Sequence, residues 1–277
     1  MGLFGWFGHK EPDLDVRPKS VAFTLRNAGL VYEDGRVGLK PTDLVISERR
    51  VAVIGLNGAG KSTLLQVLDG SHVVTEGSMT VTEAILEQAD GAVAETRTLD
   101  PAVKSGSKQL KDIIGIVRRE EIPESYYQAE NISEAVAAPL KKRRIPEGVR
   151  HETVGALFAH FGLTAYARHQ AASLDSEKRH LLAIVGALAT APAVIVADEP
   201  TKGLDERSTA TVAKALFGYD KQVIFATHDL SLISNPAYRI DRVLVMDEQI
   251  VAFDGGPKEA LAFYDALIRR KVAQSAS

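Results

Sequence analysis

Hydrophobic and polar positions along the chain fall into short strand-like runs, separated by longer stretches with helical spacing. Residues 20–30 alternate loosely, as a half-buried strand does, and Glu33-Asp34-Gly35 reads as a turn. Residues 43–46 form a second short strand. Arg50 to Gly55, RVAVIG, is almost continuously apolar, as in a strand covered on both faces. A glycine-rich turn and an amphipathic helix from Gly60 to about Leu68 follow, closed by Gly70. Residues 79–86 and 112–117 read as strands, and the polar stretch 87–108 between them reads as a surface loop. From 133 to 189 the spacing is mostly helical, with breaks at Pro146 and Gly162. Short apolar strands recur at 194–197, 222–226 and 242–246. Pro257 takes the favoured first position of a C-terminal helix, and Arg269-Arg270-Lys271 suits its negative end.

Strands alternating with helices predict an α/β fold with a parallel sheet. The long helical block between two strands predicts an inserted helical subdomain over about 120–189. We expect one domain over 20–277, with a C-terminal helix over about 257–271. Residues 1–19 read as a flexible aromatic tail carrying Phe4, Trp6 and Phe7. There is no internal repeat.

Composition narrows the function. The 277 residues carry 33 basic and 36 acidic side chains, a net charge of −3, which argues against a polycation that coats nucleic acid. With no cysteine, disulfide scaffolds, thiol nucleophiles and thiolate zinc sites are all excluded. The opening MGLFGWFGHK lacks a basic leader, its apolar run is short for a signal peptide, and Trp6 stands where a myristoylation motif wants Ser or Thr. The apolar run from Leu181 to Ala197 approaches the length of a membrane span. Pro192 interrupts it and Asp198-Glu199 follows, so it reads as a helix end, a turn and a buried strand. Lys141-Lys142-Arg143-Arg144, the densest basic run, reads as a solvated face.

Gly55-Leu56-Asn57-Gly58-Ala59-Gly60-Lys61-Ser62 fits the phosphate-loop pattern G-x-x-x-x-G-K-[ST], after a buried strand and at the start of a helix. Glycines let the backbone wrap phosphates at a helix N-terminus, where free N–H groups and the dipole favour anions. Lys61 supplies positive charge for the β- and γ-phosphates of a nucleotide, and the Ser62 hydroxyl suits Mg²⁺. A second strand, AVIVADE, ends in two acids. Asp198 is placed to hold Mg²⁺ and Glu199 to act as general base on a water.

With these motifs in view, residues from about 20 to 263 resemble the nucleotide-binding subunit of an ABC transporter. The resemblance implies a P-loop NTPase fold: a RecA-like parallel sheet, an antiparallel β subdomain and an inserted α-helical subdomain. It implies ATP and Mg²⁺ held by Gly55 to Thr63 (GLNGAGKST), with Gly55, Asn57, Gly58, Ala59, Gly60, Lys61, Ser62 and Thr63 lining the nucleotide. Tyr32 falls where the family stacks an aromatic on adenine. Thr227-His228-Asp229 matches the switch loop, so His228 would touch the γ-phosphate beside the catalytic Lys61 and Glu199. Gly203-Leu204-Asp205 matches the loop that meets the opposite subunit. Partners implied are a second ATPase subunit and a transmembrane transporter subunit, with the chain on the cytoplasmic, inner face of the cell membrane.

Two positions depart from the family. The signature LSGGQ is replaced by Leu174-Asp175-Ser176-Glu177-Lys178, whose two acids stand where the other subunit's phosphate should dock. The family glutamine corresponds to Arg119 in one alignment and to Glu121 in another. The segments 122–140 and 243–261 look most like energy-coupling-factor and cobalt-type import ATPases. The expectation is an ATPase subunit energising an importer by dimer closure, as a homodimer or, preferably, a heterodimer with one competent site. The alternative is a regulatory or scaffolding module with little turnover.

Overall fold

The computed structural model describes residues 19–86, 93–118 and 122–275. In chain order the strands are β1 (Lys19–Val31), β2 (Val37–Ile46), β3 (Arg50–Gly55), β4 (Glu76–Leu86), β5 (Val93–Leu99), β6 (Ile114–Val117), β7 (Val194–Asp198), β8 (Gln222–Ala226), β9 (Arg242–Asp247) and β10 (Ile250–Gly255). The α-helices are α1 (Lys61–Leu68), α2 (Lys104–Ile113), α3 (Glu124–Gln128), α4 (Ile132–Lys142), α5 (Glu147–His160), α6 (Ser176–Leu188), α7 (Glu206–Gly218), α8 (Ser231–Ser234) and α9 (Pro257–Ser275).

Two sheets result. The first is antiparallel, in the order β2-β1-β4-β5. Alternation in β1 turns Val21, Phe23 and Leu25 to the core, with Phe23 opposite both Ile46 and Val81. The second runs β10-β9-β3-β8-β7-β6 and is parallel except for β10. Its inner strands β9, β3, β8 and β7 are covered on both faces, and period 2 divides their side chains. Val51, Val53, Val194, Val196 and Ile224 join α1 and the antiparallel sheet in one core. Ala52, Ile54, Ile195, Ala197, Val223 and Phe225 face α6, α7 and α9 in the other. Phe23 and Phe225 are fully buried, and truncating either to Ala would cost about 3–5 kcal/mol.

The described part of the polar stretch 87–108, from Val93 on, is not the loop its composition suggests. It contains β5 and the start of α2. β5 is an edge strand with Val93 exposed, so only one side demands apolar residues. α2 carries Leu110 and Ile113 inward and continues through Asp112, so strand structure starts at Ile114 rather than Asp112. The helices α3 to α6 leave the sheet after β6 and return at β7, its parallel neighbour. α6 ends at Leu188 and the chain turns through Ala191, at φ 51°, and Pro192 into β7. The C-terminal helix runs on past Lys271 to Ser275. Of the residues read as a tail, Lys19 belongs to β1 and residues 1–18 lie outside the described residues. No helix among the described residues is long and apolar enough to cross a membrane.

The carboxyl ends of β3, β7, β8 and β9 share one edge of the parallel sheet. In open α/β sheets that is where ligand sites form.

Candidate functional site

The loop after β3 wraps the N-terminus of α1. Gly58 sits at φ 76° and Gly60, the residue before the helix, at φ 99°, conformations that side chains with a Cβ rarely adopt. The Lys61 ammonium lies against this loop, donating to the carbonyls of Gly55 at 2.8 Å and Leu56 at 3.2 Å. It is also 3.1 Å from His228 Nε2. The Lys61 side chain is thus a buried cation resting on backbone carbonyls, at the place where an anion would meet it.

From β7 come Asp198 and Glu199. Glu199 has φ 51°, uncommon without glycine, and its N–H donates to Ala226 O at 2.9 Å on β8. That ties the Glu199 backbone to the end of β8, just before Thr227-His228-Asp229. Glu199 Oε2 accepts the His228 backbone N–H at 3.2 Å, and Oε1 lies 3.3 Å from His228 Nε2. One ring nitrogen of His228 thus lies close to both Lys61 and Glu199, while Glu199 Oε1 is buried with no hydrogen-bond partner among the described residues. That nitrogen can accept from Lys61 or donate to Glu199, and its tautomer decides which. Asp198 Oδ1 is buried with no hydrogen-bond partner among the described residues.

Lys61, Glu199 and His228 face a cleft of about 710 Å³, within the range typical of small-molecule sites. The residues from Asn57 to Thr63 line it, together with Tyr32, Glu199 and His228. Gly55 and Asp198 do not line it: Gly55 only accepts from Lys61, and Asp198 is the last residue of β7, directly before Glu199. Tyr32 closes one end: its hydroxyl is 2.8 Å from Thr63 Oγ1, His72 meets its ring edge-on at 5.4 Å, and the Arg36 guanidinium lies 5.7 Å over the ring. Gly38 makes room, since a Cβ there would be 2.5 Å from that ring. Arg36, Gln66, His72 and Gln249 also line the cleft and were missed in the sequence. Gln249 alone carried a signal: it tips a two-residue hairpin where glycine or asparagine is the norm.

The segment Leu174 to Glu177 and Asp205 do not line this cleft; they sit at the starts of α6 and α7. Asp175 caps α6, accepting the Lys178 N–H at 2.9 Å and pairing with the Lys178 ammonium. Those two interactions hold its carboxyl below the ordinary aspartate value. Asp175 therefore does not stand as a bare charge before the helix: a local lysine offsets it, and it occupies an N–H that a phosphate would need. Leu174 is buried and Ser176 exposed; Glu177 has no comparable partner among the described residues. Asp205 caps α7 by accepting the Ser208 N–H at 2.8 Å. Arg119 and Glu121 lie outside the described residues. Ile114, Ile116, Tyr126, Pro139 and Gly186 line a groove of about 500 Å³ at the β6 edge. Lys141, Lys142 and Arg144 are exposed, while Arg143 pairs with Asp112 of α2 at 2.8 Å.

Comparison with known proteins gives a consistent picture. The family model described as ABC transporter matches residues 40–202. The biotin transport ATP-binding protein BioM of Rhizobium etli is 32% identical over 238 residues, covering 86% of this chain and 95% of that protein. The energy-coupling factor transporter ATP-binding protein EcfA2 of Clostridium perfringens is 30% identical over 237 residues, covering 83% of this chain and 76% of that one. Among solved structures, cbiO1 from Clostridium perfringens, described as part of the ABC transporter complex cbiONQ, superposes with a TM-score of 0.70 at 26% identity, covering 90% of this chain and 93% of cbiO1. The fold is also that of the ATP-binding cassette MJ0796, whose dimer holds ADP and phosphate (TM-score 0.67, 24% identity, covering 85% of this chain and 98% of that one).

Proposed function

This chain belongs to the ABC transporter family as an ATPase, and on that footing we propose that it energises a membrane importer of the energy-coupling-factor type. The observation that carries the site-level reading is the close approach of His228 to both Lys61 and Glu199 in the cleft above the phosphate loop.

Lys61 leaves the carbonyls of Gly55 and Leu56 for the β- and γ-phosphates when ATP enters. Glu199 orients a water toward the γ-phosphorus and takes its proton as the bond to the ADP oxygen breaks, releasing ADP and phosphate. His228 contacts the γ-phosphate and, through Glu199, registers its loss. Tyr32 supplies an aromatic face for adenine. The residues fit Mg²⁺: the unpartnered, buried Asp198 Oδ1 and the Ser62 hydroxyl at the cleft are the oxygen donors such an ion takes. Bound there, the ion would offset charge on the phosphate oxygens. The intact Glu199–His228 geometry favours turnover over a scaffolding module that binds nucleotide without hydrolysing it.

The partner arrangement follows from α6. A cap already satisfied by Asp175 suits this chain to a heterodimer, in which another subunit brings an intact signature to this chain's ATP. On this reading the groove at the β6 edge is the surface offered to the membrane subunit, with the chain at the inner face of the membrane.

The test is Glu199→Gln in the chain purified with its partner ATPase and membrane subunit. Turnover falls about 10²–10⁴-fold while ATP affinity stays within about twofold. A variant that keeps more than a tenth of wild-type turnover refutes Glu199 as the base. Vigorous ATPase activity of the pure homodimer, abolished by changing Glu177, refutes the heterodimer.

A further inference from the structure

The turn between β9 and β10 is two residues long: Asp247 pairs with Ile250, leaving Glu248 and Gln249 at the tip. Both have positive φ, 47° and 64°. Turns of this hand take Asn-Gly or Gly-Gly, because a Cβ is strained there. Here neither residue is glycine or asparagine. Strain kept at a cleft is a pointer to a role for the side chain that causes it.

Gln249 reaches the phosphate loop with both its backbone and its side chain. Its N–H donates to Ala59 O at 3.1 Å, and its side-chain Nε2 donates to Gly58 O at 2.8 Å. Its own carbonyl accepts the Lys40 N–H at 2.8 Å, tying the tip to β2. One residue thus holds two successive carbonyls of the loop from outside. A peptide group is planar, with N–H opposite to C=O. Holding Gly58 O therefore fixes the Ala59 N–H, which closes the loop on Leu56 O at 3.2 Å. Holding Ala59 O aims the Gly60 N–H away from the turn. The fit is close, since a Cβ on Gly60 would sit 3.2 Å from Gln249 Cα. On the outer side, Lys271 of α9 pairs with Asp247 at 3.0 Å and with Glu248 at 2.8 Å.

We propose that Gln249 is a positioning residue for nucleotide binding: its side-chain amide locks the Gly58–Ala59 segment in the form that accepts phosphate, and Lys271 braces the turn that carries it. The inference rests on reading the cleft as the ATP site.

Two substitutions separate this role from a merely structural one. Gln249→Asn suits positive φ, yet its amide is one methylene short of Gly58 O. Gln249→Glu keeps the length and the strain and removes the N–H donor. Equilibrium binding of ATP to the full chain, thermal denaturation, and kcat and KM in the assembled complex are measured for each. Both variants bind ATP about 3- to 10-fold more weakly, the loss expected of one hydrogen bond, and KM rises with kcat unchanged. Gln249→Asn melts no lower than wild type. Lys271→Ala weakens binding less, and adds nothing in the Gln249→Asn background. Binding of either Gln249 variant within 1.5-fold of wild type overturns the proposal, as does a loss of affinity that only follows a falling melting temperature. Lys61→Ala is the control. If it binds ATP as well as wild type, the reading of the cleft has failed and takes the role of Gln249 with it.

Discussion

The two glycines at the turn of the phosphate loop allow a paired experiment. Both Gly58 and Gly60 have positive φ, so an alanine at either position carries the conformational penalty of the left-handed region, about 1–2 kcal/mol. Their surroundings differ. A Cβ added at Gly58 meets nothing within 4 Å. A Cβ added at Gly60 would stand 2.9 Å from Gly38 O and 3.2 Å from Gln249 Cα, both of them backbone atoms that cannot rotate aside. Forcing atoms into a packed site adds about 1–3 kcal/mol. The expected losses are therefore about 1–2 kcal/mol for Gly58→Ala and about 2–5 kcal/mol for Gly60→Ala. A domain with about 5–15 kcal/mol of stability tolerates the first and approaches its limit with the second. Urea unfolding of the purified chain reads the difference, and ATP binding reads its consequence, because relief at Gly60 requires the loop to shift off the hairpin turn. Equal destabilisation by the two substitutions, within about 0.5 kcal/mol, would refute the assignment of the Gly60 contacts.

Other outcomes follow from the same geometry. Asp175 has its carboxyl held below the ordinary value by Lys178, so its contribution is present above the unfolded value of 3.8 and is lost as pH falls through the lower folded value. An NMR titration should place its midpoint below 3.8, and a midpoint at or above that value contradicts the cap; Asp175→Ala should cost about 0.5–2 kcal/mol in urea unfolding. Tyr32→Ala should weaken ATP binding by about 5- to 100-fold through lost stacking, whereas Tyr32→Phe, losing only the hydroxyl contact to Thr63, should stay within about threefold. Equal effects of the two would deny the ring its role. Arg242 joins Glu48 at 2.9 Å and also pairs with Asp254, so Arg242→Ala should destabilise the chain by about 1–3 kcal/mol, with no change in ATP affinity.

What the sequence disclosed and what it hid have physical reasons. The phosphate loop is legible because its glycines, Lys61 and Ser62 are contiguous, and its φ requirements act locally. Glu199 and His228 each end a short apolar strand, and nothing local says that β7 and β8 are neighbours; the order of motifs supplied that. β5 was hidden because an edge strand with one wet face looks like a polar loop. Gln249 was visible only as an unusual residue at a hairpin tip; its partners were hidden because they are backbone carbonyls of residues far away in the chain. The two acids in Leu174 to Lys178 were visible, but sequence does not show a side chain turning back on its own helix. Asp175 does so, which changes the departure from charge repulsion to an occupied N–H.

The pairing of β3 sets an order of assembly. β1 finds β2 and β4 close by in the chain, while β3 is flanked by β8 and β9, near its far end. As the chain leaves the ribosome, the strand that ends in the phosphate loop waits unpaired until nearly everything else has been made. RVAVIG during that interval is a bare apolar segment with strong β-propensity and no proline, the kind that joins other chains. Arg49 and Arg50 at its entrance act as charged gatekeepers against that fate. A fragment released before β8 would carry the complete phosphate-loop motif without His228 and Gln249, so the cleft is finished only when the last strands arrive.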